Sequence, residues 1–271
     1  MKILDVIKRI FIEKHCLACG SPVSYDVDEP FCEQCADSWR RFKNARCHMC
    51  GRERELCACL PKYARQVNHS IVGWCVFYNA FENGIINLMF KCLKSVYDKQ
   101  VIDFCTDWMM RSILVTAKSR GIDLSAYTVT YAPRSLTGVK KCGFDQSRLL
   151  ALSLAKKLGL PFRVTLKNIG KCEQKGLNKR QRAKNAACSY EYVGGEASRG
   201  ESFLLVDDIM TPGATVYACA MQLYKNGAQS VVPLVFAKDN YAIKGDRKNV
   251  KRNSKHHFTG AFKGVVRNGS Q

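Results

Sequence analysis

The sequence contains no long apolar run. The longest, residues 231–237, includes Pro233 and is far shorter than the roughly 18–20 apolar residues of a membrane-spanning helix. Residues 1–15 also lack the uninterrupted apolar core of a signal peptide, because charged side chains alternate there with aliphatic ones. They predict an amphipathic helix that packs on the segment after it, with attachment to a membrane surface as the alternative. We therefore expect no membrane span.

Acidic residues are scarce. The chain has 43 Lys and Arg against only 23 Asp and Glu, which gives a formal net charge of +20. Residues 134–184 hold 14 basic and 2 acidic side chains, and residues 239–271 hold 8 and 2. Such a concentration of positive charge favours polyanionic partners, namely nucleic acid, a phosphorylated substrate or an anionic membrane. An ordinary solvated surface with surplus lysine is the alternative.

Cysteine, in contrast, is abundant. The chain has 15 cysteines, an odd number, and seven of them are scattered singly in apolar surroundings that suit small buried hydrophobes. Secreted disulfide proteins usually have balanced, irregularly spaced cysteines, whereas these favour metal binding in a reducing compartment, so we expect a cytoplasmic protein. The other eight form four close pairs: Cys16 and Cys19, Cys32 and Cys35, Cys47 and Cys50, and Cys57 and Cys59.

These pairs predict two structural zinc ions. A Cys-x-x-Cys turn directs two thiolates at one tetrahedral ion, and Gly20 and Gly51 let the chain turn tightly around it. In sequence order, the first two pairs form one site and the last two the other. Joining the first pair with the third, and the second with the fourth, is chemically equivalent. His15 or His48 could replace a thiolate, and a redox role for the pairs is a weaker alternative.

From residue 66 the apolar pattern alternates between strand and helix. It predicts strands at 71–78, 129–133, 203–206 and 230–237, and helices at 81–95, 99–118, 147–158 and 214–226. The continuous apolar run at 203–206 is typical of a strand in a buried parallel sheet. We therefore expect a parallel α/β sheet with its binding site at the carboxyl ends of the strands.

The segment after residues 203–206 combines two carboxylates, Asp207 and Asp208, with a loop of Thr and Gly that opens into a helix. Such a loop offers backbone N–H groups, hydroxyls and the positive end of a helix to a phosphate. The carboxylates can accept hydrogen bonds from ribose hydroxyls. An acidic helix cap beside a turn is the alternative, and it accounts for one aspartate but not for the pair together with the loop.

Residues 204–215 resemble the signature for phosphoribosyl pyrophosphate (PRPP) in type I phosphoribosyltransferases. Residues 132–134, 140–147 and 174–185 are similar to the ComF family, bacterial competence-associated proteins with an N-terminal double zinc ribbon and a phosphoribosyltransferase-like domain. The resemblance covers residues 16–238. It implies an α/β fold whose parallel sheet is of the type I phosphoribosyltransferase kind, joined to a small N-terminal zinc-ribbon module.

The resemblance also implies site residues. Asp207 and Asp208 would hold the ribose hydroxyls, and Pro133 and Arg134 would face pyrophosphate, with Mg²⁺ bridging pyrophosphate and ribose oxygens. The residues implied at the 5′-phosphate are Met210, Thr211, Gly213, Ala214 and Thr215. Residues 171–185 would form a mobile basic segment near the reaction centre, while no residue is identified as catalytic.

Two positions depart from the family pattern. Pro212 stands where the family usually has a second Thr, which removes a hydroxyl and an N–H donor from the phosphate loop. Asp145 stands where Asn is common.

The resemblance further implies a function and a domain organisation. We expect a competence-type protein that assists the uptake or handling of single-stranded DNA in natural transformation, with PRPP as a ligand and other DNA-uptake proteins as further partners. DNA would contact residues 134–184 and the tail. The alternative is an active phosphoribosyltransferase that acts on an unidentified acceptor. The expected parts are a zinc-binding module with its preceding helix (1–65), a phosphoribosyltransferase-like domain (66–238) and a basic, flexible tail (239–271).

Overall fold

The computed structural model describes residues 15–23, 30–54, 56, 57, 59, 73–78, 85–95, 97–170, 189–196, 199–210 and 213–239. The expected N-terminal helix, the basic segment 171–185, Thr211, Pro212 and the tail from residue 240 lie outside the described residues. The helices are α1 (Glu33–Lys43), α2 (Ile85–Ser95), α3 (Lys99–Arg120), α4 (Leu136–Cys142), α5 (Gln146–Leu158) and α6 (Ala214–Lys225). The strands are β1 (Gly73–Tyr78), β2 (Tyr127–Tyr131), β3 (Leu166–Asn168), β4 (Tyr190–Tyr192), β5 (Ser202–Met210) and β6 (Ser230–Asp239).

The main sheet has four strands in the order β1-β6-β5-β2, and every neighbouring pair is parallel. β3 and β4 form a separate antiparallel pair. The predicted parallel α/β architecture is therefore confirmed. In the part of the chain that the structure describes, no helix is both long enough and apolar enough to cross a membrane.

Both faces of the sheet are covered, as β5 illustrates. Leu204 and Val206 point into a core that also receives α2, α3 and α5, whereas Phe203 and Leu205 point into a second core built with α6. Side chains alternate between the two faces of a strand, so a strand buried on both sides must be apolar at every position. This explains the continuous apolar run in the sequence.

The segment with the first two cysteine pairs packs on the same core as α2, α3 and α5. Its Phe31 and Trp39 contact Phe104 of α3 with ring centroids 5.1 Å apart, and Trp39 also stacks over Phe236 of β6. These aromatic rings join the cysteine-rich segment to the sheet.

The edge strand β1 is braced by α3 and by the segment that carries the third and fourth cysteine pairs. The carbonyl of Trp74 accepts hydrogen bonds from the Ser112 hydroxyl at 2.8 Å and from the Arg54 guanidinium at 3.2 Å. Arg54 lies between the third and fourth cysteine pairs.

The structure differs from the sequence prediction mainly at β5. This strand continues to Met210, four residues beyond the predicted end, so Asp207 and Asp208 lie inside it rather than after it. Backbone pairing with β6 extends to Met210, and this pairing maintains the strand where the apolar pattern ends. The helix-cap alternative for the two aspartates is wrong for the same reason.

Candidate functional site

The candidate crevice lies where the chain leaves the carboxyl ends of two neighbouring strands in opposite directions. After β2 the chain continues to α5 on one face of the sheet, and after β5 it continues to α6 on the other face. Such a reversal opens a crevice beyond the strand ends, which is where ligands of open α/β sheets bind. The sequence placed the site at this edge, and the structure brings the aspartate pair, the Pro133–Arg134 loop and the start of α6 to it.

Asp207 is buried in the floor of this crevice. Its Oδ1 accepts hydrogen bonds from the Ser147 hydroxyl and from the Asp208 backbone N–H, both at 2.9 Å. Burial, and secondarily the neighbouring Asp208 carboxylate, raise the pKa of Asp207 well above its usual range. A ligand that donates hydrogen bonds or brings positive charge would therefore stabilise the ionised form.

Asp208 is buried beside a cation. Its Oδ2 lies 3.3 Å from the Lys94 ammonium and accepts a 3.4 Å hydrogen bond from the Gln146 amide. Lys94 is in the last turn of α2 and its side chain is 41% exposed, so the ammonium reaches from solvent into the crevice. Lys94 was not predicted, because a single lysine at a helix end has no distinctive sequence pattern.

Arg134 is fixed by the residues that begin α5. Its backbone N–H donates to Asp145 Oδ2 at 2.8 Å, and its guanidinium donates to Gln146 Oε1 at 2.9 Å. Gly138 leaves room for this side chain, since a Cβ there would lie 2.6 Å from Arg134 Nε. Asp145 also caps α5, and burial raises its pKa although three backbone N–H groups oppose the shift.

The short β3–β4 pair braces this loop from outside. The Asn168 side-chain amide donates to the Pro133 carbonyl at 3.1 Å. Across the crevice, Tyr190 of β4 interacts with Thr215 of α6, and burial raises the pKa of the Tyr190 hydroxyl. The Tyr190 side chain is itself largely buried.

The start of α6 completes the crevice. Met210 is buried at the end of β5, and Gly213 has a left-handed backbone with φ of 79° just before Ala214 and Thr215. A helix N-terminus presents free backbone N–H groups to an anion. The crevice thus combines two buried acceptors with two cationic side chains and a helix N-terminus.

The eight paired cysteines form two clusters. Cluster one is Cys16, Cys19, Cys32 and Cys35; cluster two is Cys47, Cys50, Cys57 and Cys59. Within each cluster the sulfur atoms all lie within 4.8 Å of one another, so the structure selects the pairing in sequence order over the interleaved one. Neither His15 nor His48 is a member of either cluster, and the His15 ring contacts the Gly20 carbonyl instead.

Both clusters fit a tetrahedral zinc ion. Zn–S bonds of about 2.3 Å place neighbouring sulfurs about 3.8 Å apart, and Cys19 and Cys32 have sulfurs 3.7 Å apart. Gly20 and Gly51 occupy equivalent turns with φ of 74° and 67°, and their N–H groups donate to the carbonyls of Cys16 and Cys47. The eight residues can therefore hold two zinc ions.

Lys238 is a second residue that the sequence did not reveal, because it appeared only as the end of an apolar run. It is buried in β6, and its ammonium donates to Cys57 Sγ at 3.6 Å and to the Cys59 carbonyl. The ammonium also lies 4.3 Å from the centre of the Trp74 ring. Lys238 connects cluster two with the main sheet.

No protein-family profile and no curated protein sequence matches the chain. Solved structures with some similarity include one described as the allosteric regulatory enzyme of purine biosynthesis, 18% identical, with 49% of this chain and 24% of that chain covered and a TM-score of 0.32. The chain thus spans about a quarter of that enzyme's length.

Another is a purine phosphoribosyltransferase from Pyrococcus horikoshii, 14% identical, covering 54% of this chain and 89% of that chain at a TM-score of 0.30. An alanine mutant of an HPRT, made to analyse an invariant aspartic acid, is 12% identical, covering 56% and 78% at a TM-score of 0.34. Similarity at these low TM-scores does not identify a function for this chain.

Proposed function

We propose that the crevice binds PRPP and that residues 66–238 form a phosphoribosyltransferase-like domain. The observation that carries this proposal is the buried Asp207–Asp208 pair in the carboxyl-terminal half of β5, close to where the chain leaves the strand towards α6. Two adjacent carboxylates match the two neighbouring hydroxyls of a ribose ring. The helix N-terminus beyond them matches a 5′-phosphate.

The remaining groups suit the pyrophosphate end of the ligand. Lys94 places positive charge directly beside Asp208, and Arg134, on the loop after Pro133, is linked to Asp208 through Gln146. Departure of pyrophosphate from PRPP leaves positive charge on the ribose ring, which buried carboxylates stabilise, while the cations stabilise the leaving group. Mg²⁺ bound with PRPP would neutralise further phosphate charge, and Asp207 and Asp208 are oxygen donors of the kind that it accepts.

Isothermal titration with PRPP and Mg²⁺ tests the proposal. Each charge-assisted hydrogen bond contributes about 1.5–3 kcal/mol, so the double variant Asp207→Asn/Asp208→Asn should bind at least about a hundredfold more weakly than the wild type. Asp107→Asn is the matched control, because that carboxylate pairs with Lys157 outside the crevice and its loss should leave PRPP affinity unchanged. Equal affinity of the double variant and the wild type would refute the proposal.

We further propose that the chain is a cytoplasmic competence-type protein that handles single-stranded DNA together with other DNA-uptake proteins. The supporting observation is charge: Lys140, Lys141, Arg148, Lys156 and Lys167 are exposed in the described part of the basic stretch. Eight cysteines lie in two clusters that can hold metal, which suits a reducing compartment. If the main role is instead transfer of the phosphoribosyl group to an acceptor, pyrophosphate should be released from PRPP when that acceptor is added, whether or not DNA is present.

A further inference from the structure

Lys238 is unusual because its ammonium is buried. The residue is only 3% exposed, and it directly follows the apolar run 231–237 of β6. Placing an ammonium in such a site is costly unless a negative group compensates it. The Cys57 sulfur, the Cys59 carbonyl and the face of the Trp74 ring lie against the ammonium.

Metal binding would change the charge of this contact. Four thiolates around one divalent ion leave two surplus negative charges, and a buried cation next to a ligand sulfur offsets part of that surplus. Cluster one has a different kind of contact, since Cys19 Sγ is 3.3 Å from the neutral hydroxyl of Ser21.

We propose that Lys238 is a positioning residue for the metal at cluster two, and that the metal in return fixes the crevice edge. The N–H···S bond to Cys57 raises metal affinity at cluster two, while the ionised thiolates keep the Lys238 ammonium in place. Lys238 is the register partner of Met210, the last residue of β5 before the loop to α6. Cluster two is therefore coupled to the edge where the sheet meets the crevice, whatever ligand the crevice binds.

Cobalt titration of the full-length chain tests whether Lys238 raises metal affinity at cluster two. Co²⁺ bound to thiolates absorbs visible light, so the absorption measures how much metal is bound. The clusters are told apart with Cys32→Ser, which removes a ligand from cluster one, and Cys57→Ser, which removes one from cluster two. Lys238→Met should weaken Co²⁺ binding at cluster two by about tenfold to a hundredfold, as is usual when an outer-shell partner is lost. Cluster one should keep its affinity in that variant.

Two further variants are matched to this measurement. Lys238→Arg keeps the charge and should retain more cobalt affinity at cluster two than Lys238→Met. Ser21→Ala removes the neutral contact of cluster one and should leave cluster two unchanged. Wild-type cobalt affinity of cluster two in Lys238→Met would overturn the role of the ammonium.

Hydrogen exchange tests whether a metal at cluster two fixes the crevice edge, and it does so without relying on metal affinity or on PRPP. Cys57→Ser should accelerate exchange of the Met210 amide and of the Tyr217 amide, which donates to the Gly213 carbonyl at the start of α6. The Val129 amide of β2, which donates to the Pro161 carbonyl, should keep its rate. This variant retains Lys238, so it tests the coupling between cluster two and the crevice edge even if Lys238→Met fails to fold. Unchanged exchange at Met210 in Cys57→Ser would refute the coupling.

Discussion

At the scale of single residues, the carboxyl of Asp207 opposes folding when it is ionised. Its pKa is raised by burial and by the neighbouring Asp208, so the folded chain holds the proton more tightly than the unfolded chain does. The free energy of unfolding therefore falls as the pH rises from the ordinary aspartate pKa, 3.8, towards the raised value. Under the proposed function, the residue that would bind the ribose thus lowers the stability of the free protein.

Asp207→Asn should consequently stabilise the protein near neutral pH. The variant keeps Oδ1, which still accepts from the Ser147 hydroxyl and the Asp208 N–H, and it removes the buried charge. We expect a gain in unfolding free energy of at least about 1 kcal/mol at about pH 7 and little change at about pH 4. Urea unfolding at both pH values measures it, and a variant less stable than the wild type at neutral pH would contradict the assignment.

At the scale of elements, cluster one contributes to a core larger than its own segment. Phe31 and Trp39 lie beside its ligands and pack on α3 and β6. A segment this short has little core of its own, so its metal should supply much of its folding free energy. Loss of that metal should therefore loosen α1 and the aromatic contacts of Trp39.

Cys32→Ser should lower the zinc content from two ions to one per chain, because cluster two keeps its four ligands. Near-ultraviolet circular dichroism should weaken as Trp39 loses its fixed packing, while the far-ultraviolet signal of the sheet persists. Cys142→Ser, at a thiol outside both clusters, is the control and should keep two ions. Elemental analysis decides, and a wild-type chain with fewer than two ions would refute the double site.

The elements also explain what the sequence could and could not predict. β1, β2, β5, β6 and the long helices were located within a few residues, because each has an apolar pattern of clear period. β3 and β4 were missed, since three residues are too few to show alternation. α4 was missed too, since its seven residues begin at the Ser135 cap rather than at an apolar pattern.

In the candidate site, the residues with a local pattern were predicted and those without one were not. The aspartates and the cysteine pairs have distinctive spacing, whereas Lys94 and Lys238 reach their partners through contacts 114 and 181 residues apart in sequence. Sequence order likewise left the pairing of the cysteine clusters open, because both arrangements satisfy tetrahedral coordination. Only the fold decides which groups meet.

At the scale of the whole molecule, the charge of +20 predicts a salt-dependent interaction with polyanions. Affinity for single-stranded DNA should fall steeply between low and physiological salt. Binding releases cations from the DNA phosphates, and this release becomes less favourable as the salt concentration rises. Truncation after Asp239 removes the basic tail, keeps β6 complete, and should flatten the salt dependence with little effect on unfolding. Fluorescence anisotropy with a labelled oligonucleotide measures both, and absence of binding at low salt would rule out the DNA proposal.

The bracing of β1 has a further consequence, for self-association. β1 is one of the two edge strands of the main sheet in the described residues, and an open strand edge is where a second chain can add by backbone pairing. Arg54 donates to the Trp74 carbonyl from a position between Cys50 and Cys57, so a metal ion bound at cluster two would help to keep that edge covered. Chelation should uncover it, and light scattering should then detect oligomers that disperse when zinc is restored; a chelated chain that stays monomeric would show that Ser112 alone protects the edge. A zinc ion at cluster two would then limit aggregation, in a chain whose surface charge already opposes it.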